Sequence, residues 1–151
     1  MTWHRSNVPI PETYVAALVG AAVMHVVMPI RLPLPAGAAR LVGVASMAAG
    51  IGLAAWAVAS AGDADVESDS ELVTSGAYAH SRNPMYVGWS AAVAGAALAS
   101  RDAWLLVGWV LASRILHDEV LDEEARLAAR FGNAYAAYRE RAPRYLPLPE
   151  H

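Results

Sequence analysis

The clustering of apolar residues constrains this chain more than any other feature. Of its 151 residues, 56% are hydrophobic, and they lie in long blocks instead of recurring along one face of an otherwise polar helix. The first block, Thr13 to Ile30, ends at Arg31, and the second, Leu41 to Ala61, carries no charge. Each is about long enough to supply the roughly 20 residues that cross a bilayer core. The sequence therefore predicts an integral membrane protein.

Two shorter apolar blocks follow, Met85 to Ser100 and Ala103 to Leu116, on either side of the polar pair Arg101-Asp102. They either form a shallow hairpin or continue outward. We favour continuation, because nothing breaks the pattern from Ala103 to Phe131 and a glycine follows at position 132. The predicted fold is all-α, one membrane domain over residues 1–151. It has about four transmembrane helices, a long last helix extending into the cytoplasm and a short C-terminal helix.

Charge and cysteine content exclude several classes of function. The net charge of −3 does not indicate a nucleic-acid partner, and the absence of cysteine excludes disulfides and thiolate catalysis. The acidic stretch Gly62 to Glu71 is expected to be a solvated connection. Its acids alternate with small residues in no ligand pattern, so we expect no metal site. Most arginines fall on the side of the C-terminal tail, which the positive-inside rule assigns to the cytoplasm, and the expected location is the cell inner membrane.

A polar, turn-rich strip, Leu72 to Gly88, separates the second and third apolar blocks. Asn83 suits a helix N-cap and Pro84 the first helical position, so a helix is predicted to begin at Pro84. Arg82 next to the free N–H groups of that helix would form an anion pocket. The alternative, an arginine placed at the headgroup level of the membrane, is equally open on spacing alone.

Polar residues also occur within predicted apolar surfaces. On a helical wheel, His117 and Glu124 fall in the middle of the apolar face that contains Leu116 and Val120. A carboxylate there costs free energy unless it is paired or hydrogen-bonded, which favours a functional role over an acid tolerated in a water-filled groove. His25 lies inside the first block and either bonds to a neighbouring helix or faces the site.

Two motifs resemble those of one enzyme family. The strip from Leu72 to Gly88 resembles the G-x-Y-x-x-x-R-H-P-x-Y-x-G signature of isoprenylcysteine carboxyl methyltransferases and their bacterial phospholipid-methyltransferase-like relatives. The stretch from Glu123 to Tyr138, followed by Pro143-Arg144 and Pro147, resembles the ending of that family. Asn83 stands where the family commonly has histidine, and asparagine does not titrate near neutral pH, so a binding role is expected there.

The resemblance implies an integral-membrane methyltransferase that uses S-adenosylmethionine. The cofactor is then enclosed by residues 72–147, open to the cytoplasm, while a lipophilic or lipid-borne acceptor (carboxylate, thiol or amine) enters from the bilayer. The two N-terminal spans, residues 13–61, match only in character. The implied catalytic residues are Arg82, Glu123 and Glu124. The implied cofactor-binding residues are Leu72, Gly76, Tyr78, Asn83, Pro84, Tyr86, His117, Tyr135 and Tyr138, with Arg144 as a further candidate.

The chemistry suggests roles for two of these residues. Arg82 would hold a carboxylate of the cofactor or substrate. Glu124 would bind the cofactor's ammonium group, or would accept a proton from an amine or thiol acceptor, for which a raised pKa would help. Two alternatives stay open: a membrane reductase using NADPH, since some sterol reductases have similar C-terminal ends, and a non-catalytic membrane scaffold. Neither the acceptor nor the oligomeric state is predicted.

Overall fold

The computed structural model of the chain describes residues 12–62 and 72–146, and within them the regular structure is helical, with no strand. The five α-helices are α1 (Glu12–Val27), α2 (Ala36–Ala61), α3 (Pro84–Ser100), α4 (Ala103–Phe131) and α5 (Asn133–Arg141). A short 3-10 helix, Gly76–Ala79, precedes α3. Most of the predicted acidic connection, residues 63–71, and the predicted motif residue Pro147 lie outside the described ranges.

The first two helices differ from the apolar blocks that predicted them. Helix α1 ends at Val27 instead of continuing to Ile30, because Pro29 disfavours helical geometry at the residue before it. Helix α2 begins at Ala36, directly after Pro35, and not at Leu41, because the first turns of a helix need no apolar side chains. Among the described helices, only α2, with 26 residues, is by itself long and apolar enough to cross a membrane.

Glycines bring α2 and α3 into backbone contact. Gly43 faces the Gly95 carbonyl, and two helical turns later Gly50 faces the Gly88 carbonyl, so the two helices run antiparallel. Membrane helices associate by such close approach. Lipid is as apolar as the helix surface, so the hydrophobic effect does not drive association, and small residues instead permit dense packing. Gly43 and Gly50 therefore make the helix–helix contact, whereas Gly52 of the same helix is exposed, with nothing near its Cβ position.

A pair of glycine substitutions tests this packing. We expect Gly50→Ala to lower the free energy of unfolding by roughly 1–3 kcal/mol, because the new Cβ would collide with the Gly88 carbonyl and lie 2.6 Å from the Ala92 nitrogen. The matched control, Gly52→Ala, should leave stability unchanged or slightly raised, since alanine favours a helix over glycine. Thermal unfolding in detergent measures both, and equal melting temperatures for the two variants would contradict the packing described here.

The turn between α3 and α4 is built from Arg101 and Asp102. Arg101 adopts the left-handed conformation, with φ of 56°. Asp102 caps α4, its Oδ1 accepting from the backbone nitrogens of Trp104 at 2.8 Å and Leu105 at 3.2 Å. Its other oxygen lies 2.7 Å from Nδ1 of His25. Of the two alternatives for His25, the structure therefore shows bonding to a neighbouring element, here the turn.

Helix α1 packs antiparallel to α4. At the end that contains the α3–α4 turn, Trp104 Nε1 donates to the Met28 carbonyl at 2.7 Å. Near the start of α1, the hydroxyls of Tyr14 and Ser113 lie 3.3 Å apart. Helix α4 is continuous over 29 residues, as predicted, and ends at Gly132. Its second half lies against the residues that precede α3 and against α5. We call the part of the molecule formed by residues 72–83, the second half of α4, α5 and the residues after it the site end.

Candidate functional site

An ion cluster joins the two motif regions at the site end. Glu124 of α4 is buried, with 7% of its surface exposed. Arg82 Nη2, from the strip before α3, lies 3.0 Å from Glu124 Oε1, and Arg144 Nη2, after α5, lies 3.0 Å from Oε2. Arg144 Nε also donates to Oε1 at 3.0 Å. Residues that are far apart in sequence therefore share one carboxylate.

All three nitrogens of the Arg82 guanidinium have protein partners. Nε and Nη2 donate to Glu124 at 3.0 to 3.3 Å. Nη1 donates to the Ala142 carbonyl at 2.8 Å and to the Arg139 carbonyl at 3.3 Å. Instead of forming an anion pocket, one of the two alternatives for this residue, the Arg82 guanidinium is directed at Glu124 and at the C-terminal end of α5.

The ionisation of Glu124 follows from the same contacts. Burial by itself favours the neutral acid, but the hydrogen bonds and charges of Arg144 and Arg82 outweigh it, so the pKa of Glu124 is held below its ordinary value. The raised pKa that would help Glu124 to accept a proton is therefore not found, because two arginines meet this carboxylate. An ionised Glu124 whose two oxygens both accept from arginines is poorly suited to accept a proton.

The strip before α3 also binds the segment after α5. We call this segment, Ala142–Leu146, the C-terminal strap. The backbone nitrogen of Arg82 donates to the Pro143 carbonyl at 2.8 Å. The Arg144 carbonyl accepts from Asn83 Nδ2 at 3.1 Å and from Ser81 Oγ at 3.3 Å. The strap, which has no helical structure of its own, is therefore held by bonds to the residues that precede α3.

These bonds change the role predicted for Asn83. Asn83 does stand at the N-cap position of α3, but its side chain caps no helix nitrogen. Its amide is bonded instead to the Arg144 carbonyl. The predicted helix start at Pro84 is confirmed, and Pro84 is buried. Neither residue lines the cavity described next.

A cavity of about 510 Å³ opens between α3 and α4 at the site end. Two predicted site residues, Tyr86 and His117, line it, and Tyr145 of the strap closes part of its wall, with its Oη 2.8 Å from His117 Nδ1. The volume falls in the range of small-molecule sites, roughly 300–1,000 Å³. The remaining lining residues are Tyr14, Val87, Ser90, Ala91, Ala94, Trp109, Ser113, Arg114, Leu116, Val120 and Leu146.

Other predicted cofactor-binding residues form a separate aromatic cluster. Tyr135 and Tyr138 of α5 are buried against Leu72 and Tyr78, and Tyr138 Oη donates to the Tyr78 carbonyl at 2.7 Å. Burial and the nearby Glu123 carboxylate raise the pKa of Tyr78 to about 12. This cluster joins α5 to the strip and does not line the cavity.

Gly76 is also placed apart from the cavity, at the start of the 3-10 helix. Its φ is +59°, a conformation that side chains disfavour. A Cβ there would collide with the hydroxyl of Ser60, which accepts a hydrogen bond from the Ala77 nitrogen at 2.9 Å. Gly76 thus allows the strip to pass close to the end of α2.

Several lining residues were not predicted. Trp109 Nε1 donates to Ser90 Oγ at 2.9 Å across the α3–α4 interface, and neither residue belongs to a motif. Tyr14 comes from α1, where nothing in the sequence marks it. Tyr145 had one available signal, because it directly follows Arg144 in the second motif.

Comparison with known proteins was made on sequence. A profile of the family described as phospholipid methyltransferase matches residues 38–134. Protein-S-isoprenylcysteine O-methyltransferase of Xenopus laevis is 39% identical over 84 residues, which are 54% of this chain and 29% of that protein. The Schizosaccharomyces pombe protein of the same name is 35% identical over 85 residues, 53% of this chain and 34% of that protein. The matches therefore span about a third of these relatives.

Proposed function

Because the chain belongs to the phospholipid methyltransferase family, we propose that it is an S-adenosylmethionine-dependent membrane methyltransferase that acts on a lipophilic or lipid-borne acceptor. The observation that carries the proposal is the cavity between α3 and α4. Tyr86, His117 and Tyr145 give it polar groups, whereas Ala94 and Leu116 give it apolar wall. An acceptor with a reactive polar group on a hydrocarbon chain requires both kinds of surface.

The cavity lining also fits a sulfonium cofactor. S-adenosylmethionine, when bound, supplies an electrophilic methyl group on a positively charged sulfur. Tyrosine and tryptophan rings attract cations through their faces, and Tyr86, Tyr145 and Trp109 line the cavity. We propose that Tyr86, which belongs to the first motif, and His117 of α4 hold the cofactor. For Glu123, Leu72, Gly76, Tyr78, Tyr135 and Tyr138 the cofactor and catalytic roles stay predictions.

Methyl transfer from sulfur makes modest demands on a protein. The reaction is an in-line displacement, so the enzyme has to align two partners and exclude water. The walls supplied by α3, α4 and Tyr145 would orient the acceptor, and the hydroxyls and imidazole would bind its polar group. A carboxylate acceptor needs no base, whereas a thiol or amine releases a proton that His117 is placed to accept.

The membrane arrangement is part of the proposal. We infer that α1 to α4 all cross the bilayer, with the site end in the cytoplasm and the protein in the inner membrane. The helices alternate in direction, and the arginines of the strip, α5 and the strap lie together at the site end, as the positive-inside rule requires of a cytoplasmic face. Large apolar side chains also face outward on three of the helices, among them Val19, Val23, Leu41, Ile51, Leu111 and Ile115.

The activity test is transfer of a labelled methyl group from S-adenosylmethionine to a panel of acceptors. The panel should include prenylated cysteine, lipophilic thiols and amines, and total membrane lipid. We expect transfer to at least one of them, loss of transfer in His117→Ala, and retention in Arg141→Ala, whose side chain is exposed. S-adenosylhomocysteine, and not NADPH, should raise the melting temperature of the purified protein. Protection by NADPH alone would contradict the proposal.

A further inference from the structure

We propose that Glu124 is a positioning residue: through Arg144 it holds Tyr145 in the wall of the cavity, and it does not itself touch cofactor or acceptor. The inference rests on the proposed function of that cavity. It assigns a specificity-determining role to Tyr145 and removes Glu124 from the reacting groups. Tyr145 lies beyond the profile match, which ends at residue 134.

The hydrogen bonds of Glu124 support the first step. Both carboxylate oxygens accept from arginines, Oε1 from Arg82 and Arg144 and Oε2 from the same two side chains. Only 9% of the Glu124 side chain is exposed. Glu124 is also absent from the residues that line the cavity. A ligand group would have to displace an arginine to reach this carboxylate.

The chain order supports the second step. Arg144 and Tyr145 are consecutive, so fixing the Arg144 side chain restricts where the Tyr145 backbone can lie. The Arg144 carbonyl, which is part of the peptide that links the two residues, accepts from Asn83 and Ser81. Tyr145 in turn reaches across to His117, with the two rings 5.9 Å apart between centroids. The wall of the cavity therefore depends on contacts made outside it.

The consequence is a loss of ligand affinity when the cluster is broken. A neutral residue at position 124 loosens the Arg144 side chain, so Tyr145 is held beside His117 less firmly, by the bonds of the strap to Ser81, Arg82 and Asn83 alone. A cavity wall that contacts the ligand equally in the ground state and in the transition state stabilises both states by the same amount. Removing such a wall raises KM more than it lowers kcat. A group in direct contact with the reacting atoms would instead lower kcat. The split between KM and kcat therefore separates positioning from chemistry.

The first experiment is a double-mutant cycle on the binding of S-adenosylhomocysteine to detergent-purified protein. We expect Glu124→Gln and Tyr145→Ala each to weaken binding by about tenfold. If Glu124 acts through Tyr145, the double variant should bind no more weakly than the weaker single variant. Tyr145→Phe, which keeps the ring, should retain most of the affinity. Multiplicative losses in the double variant would overturn the inference, because they would show that Glu124 acts independently of Tyr145.

The second experiment does not depend on activity. Trypsin cleaves after arginine and lysine, so cleavage of the Arg144–Tyr145 bond reports whether the strap is held. We expect faster cleavage in Glu124→Gln and in Arg144→Lys, which keeps a tryptic site but lacks the fork that matches a carboxylate. Arg141→Lys is the matched control and should be cleaved at this bond at the wild-type rate.

The two experiments separate failure of the inference from failure of the proposed function. An unchanged cleavage rate in both Glu124→Gln and Arg144→Lys would overturn the inference while leaving methyl transfer untouched. Absence of methyl transfer and of S-adenosylhomocysteine binding in the wild type, with faster cleavage in the variants, would overturn the function and leave the mechanical link standing. If Glu124→Gln does not fold, Arg144→Lys alone decides the cleavage test.

Discussion

Arg82→Ala is expected to lower the free energy of unfolding by roughly 3–5 kcal/mol, the usual cost of removing one partner from a buried ion pair, and to abolish methyl transfer. The Arg82 side chain is 9% exposed. Its loss leaves Glu124 with a single arginine and leaves the carbonyls of Ala142 and Arg139 without their donor. Chemical unfolding in a mild detergent, followed by tryptophan fluorescence, measures the first effect, and labelled methyl transfer measures the second.

Two further variants test whether the loss of stability is specific to the contacts of Arg82. Arg82→Lys keeps the charge but cannot reach both Glu124 and the backbone carbonyls at once, so it should recover only part of the stability. Arg141→Ala removes an exposed arginine whose Nε bonds within its own helix, to Ala137, and should cost less than about 0.5 kcal/mol. Equal stability of Arg82→Ala and Arg141→Ala would contradict the structural role given to Arg82.

Acid should destabilise the protein through Glu124. Because its pKa is depressed in the folded state relative to the ordinary value of 4.5, the folded protein binds that proton less readily than the unfolded chain does. The stabilisation from Glu124 is therefore present above the unfolded pKa, and it is lost as pH falls through the folded pKa. Below that point Glu124 is neutral in both states and contributes nothing through its charge.

The measurement is the melting temperature in detergent from about pH 7 down to about pH 3. The melting temperature of the wild-type protein should fall over the acid part of this range. Glu124→Gln, which cannot ionise at position 124, should have a lower melting temperature at pH ~7, and that temperature should fall less steeply with pH. Asp122→Asn is a matched control, since Asp122 is exposed on the same helix. Identical pH profiles for wild type and Glu124→Gln would show that this carboxylate is not the linked group.

Local sequence signals were sufficient for the second half of the fold. Proline restricts the backbone, and Pro84 marks the start of α3. Glycine permits conformations that other residues disfavour, and Gly132 marks the end of α4. The same was not true of α1 and α2. Hydrophobicity reports where a chain contacts lipid, whereas helix ends are set by the backbone. Pro29 and Pro35, not the ends of the apolar blocks at Ile30 and Leu41, therefore decide where these helices stop and start.

The sequence predicted some residues of the candidate site but not their contacts. The motifs identified Arg82 and Glu124, and polar residues on an apolar helix face demand partners. They did not show that each is the other's partner, because these two residues are 42 positions apart in sequence and their contact depends on how α4 packs against the segment before α3. Tyr14 and Ser90 entered the cavity wall by the same packing. The resemblance therefore predicts candidate site residues, but it does not divide them into residues that line the cavity and residues that hold its surroundings together.

The contacts that hold α1 are shorter at its C-terminal end than at its N-terminal end, and this difference determines how the helix can move. Next to the α3–α4 turn it is secured by the 2.7 Å bonds of His25 and of the Met28 carbonyl. Toward its start the hydroxyl contact of Tyr14 is longer, at 3.3 Å. A helix fixed at one end moves as a pivoted rod, with the largest excursions at the other. Tilting of α1 about this anchored end would therefore displace Tyr14, which lines the cavity, more than it displaces His25.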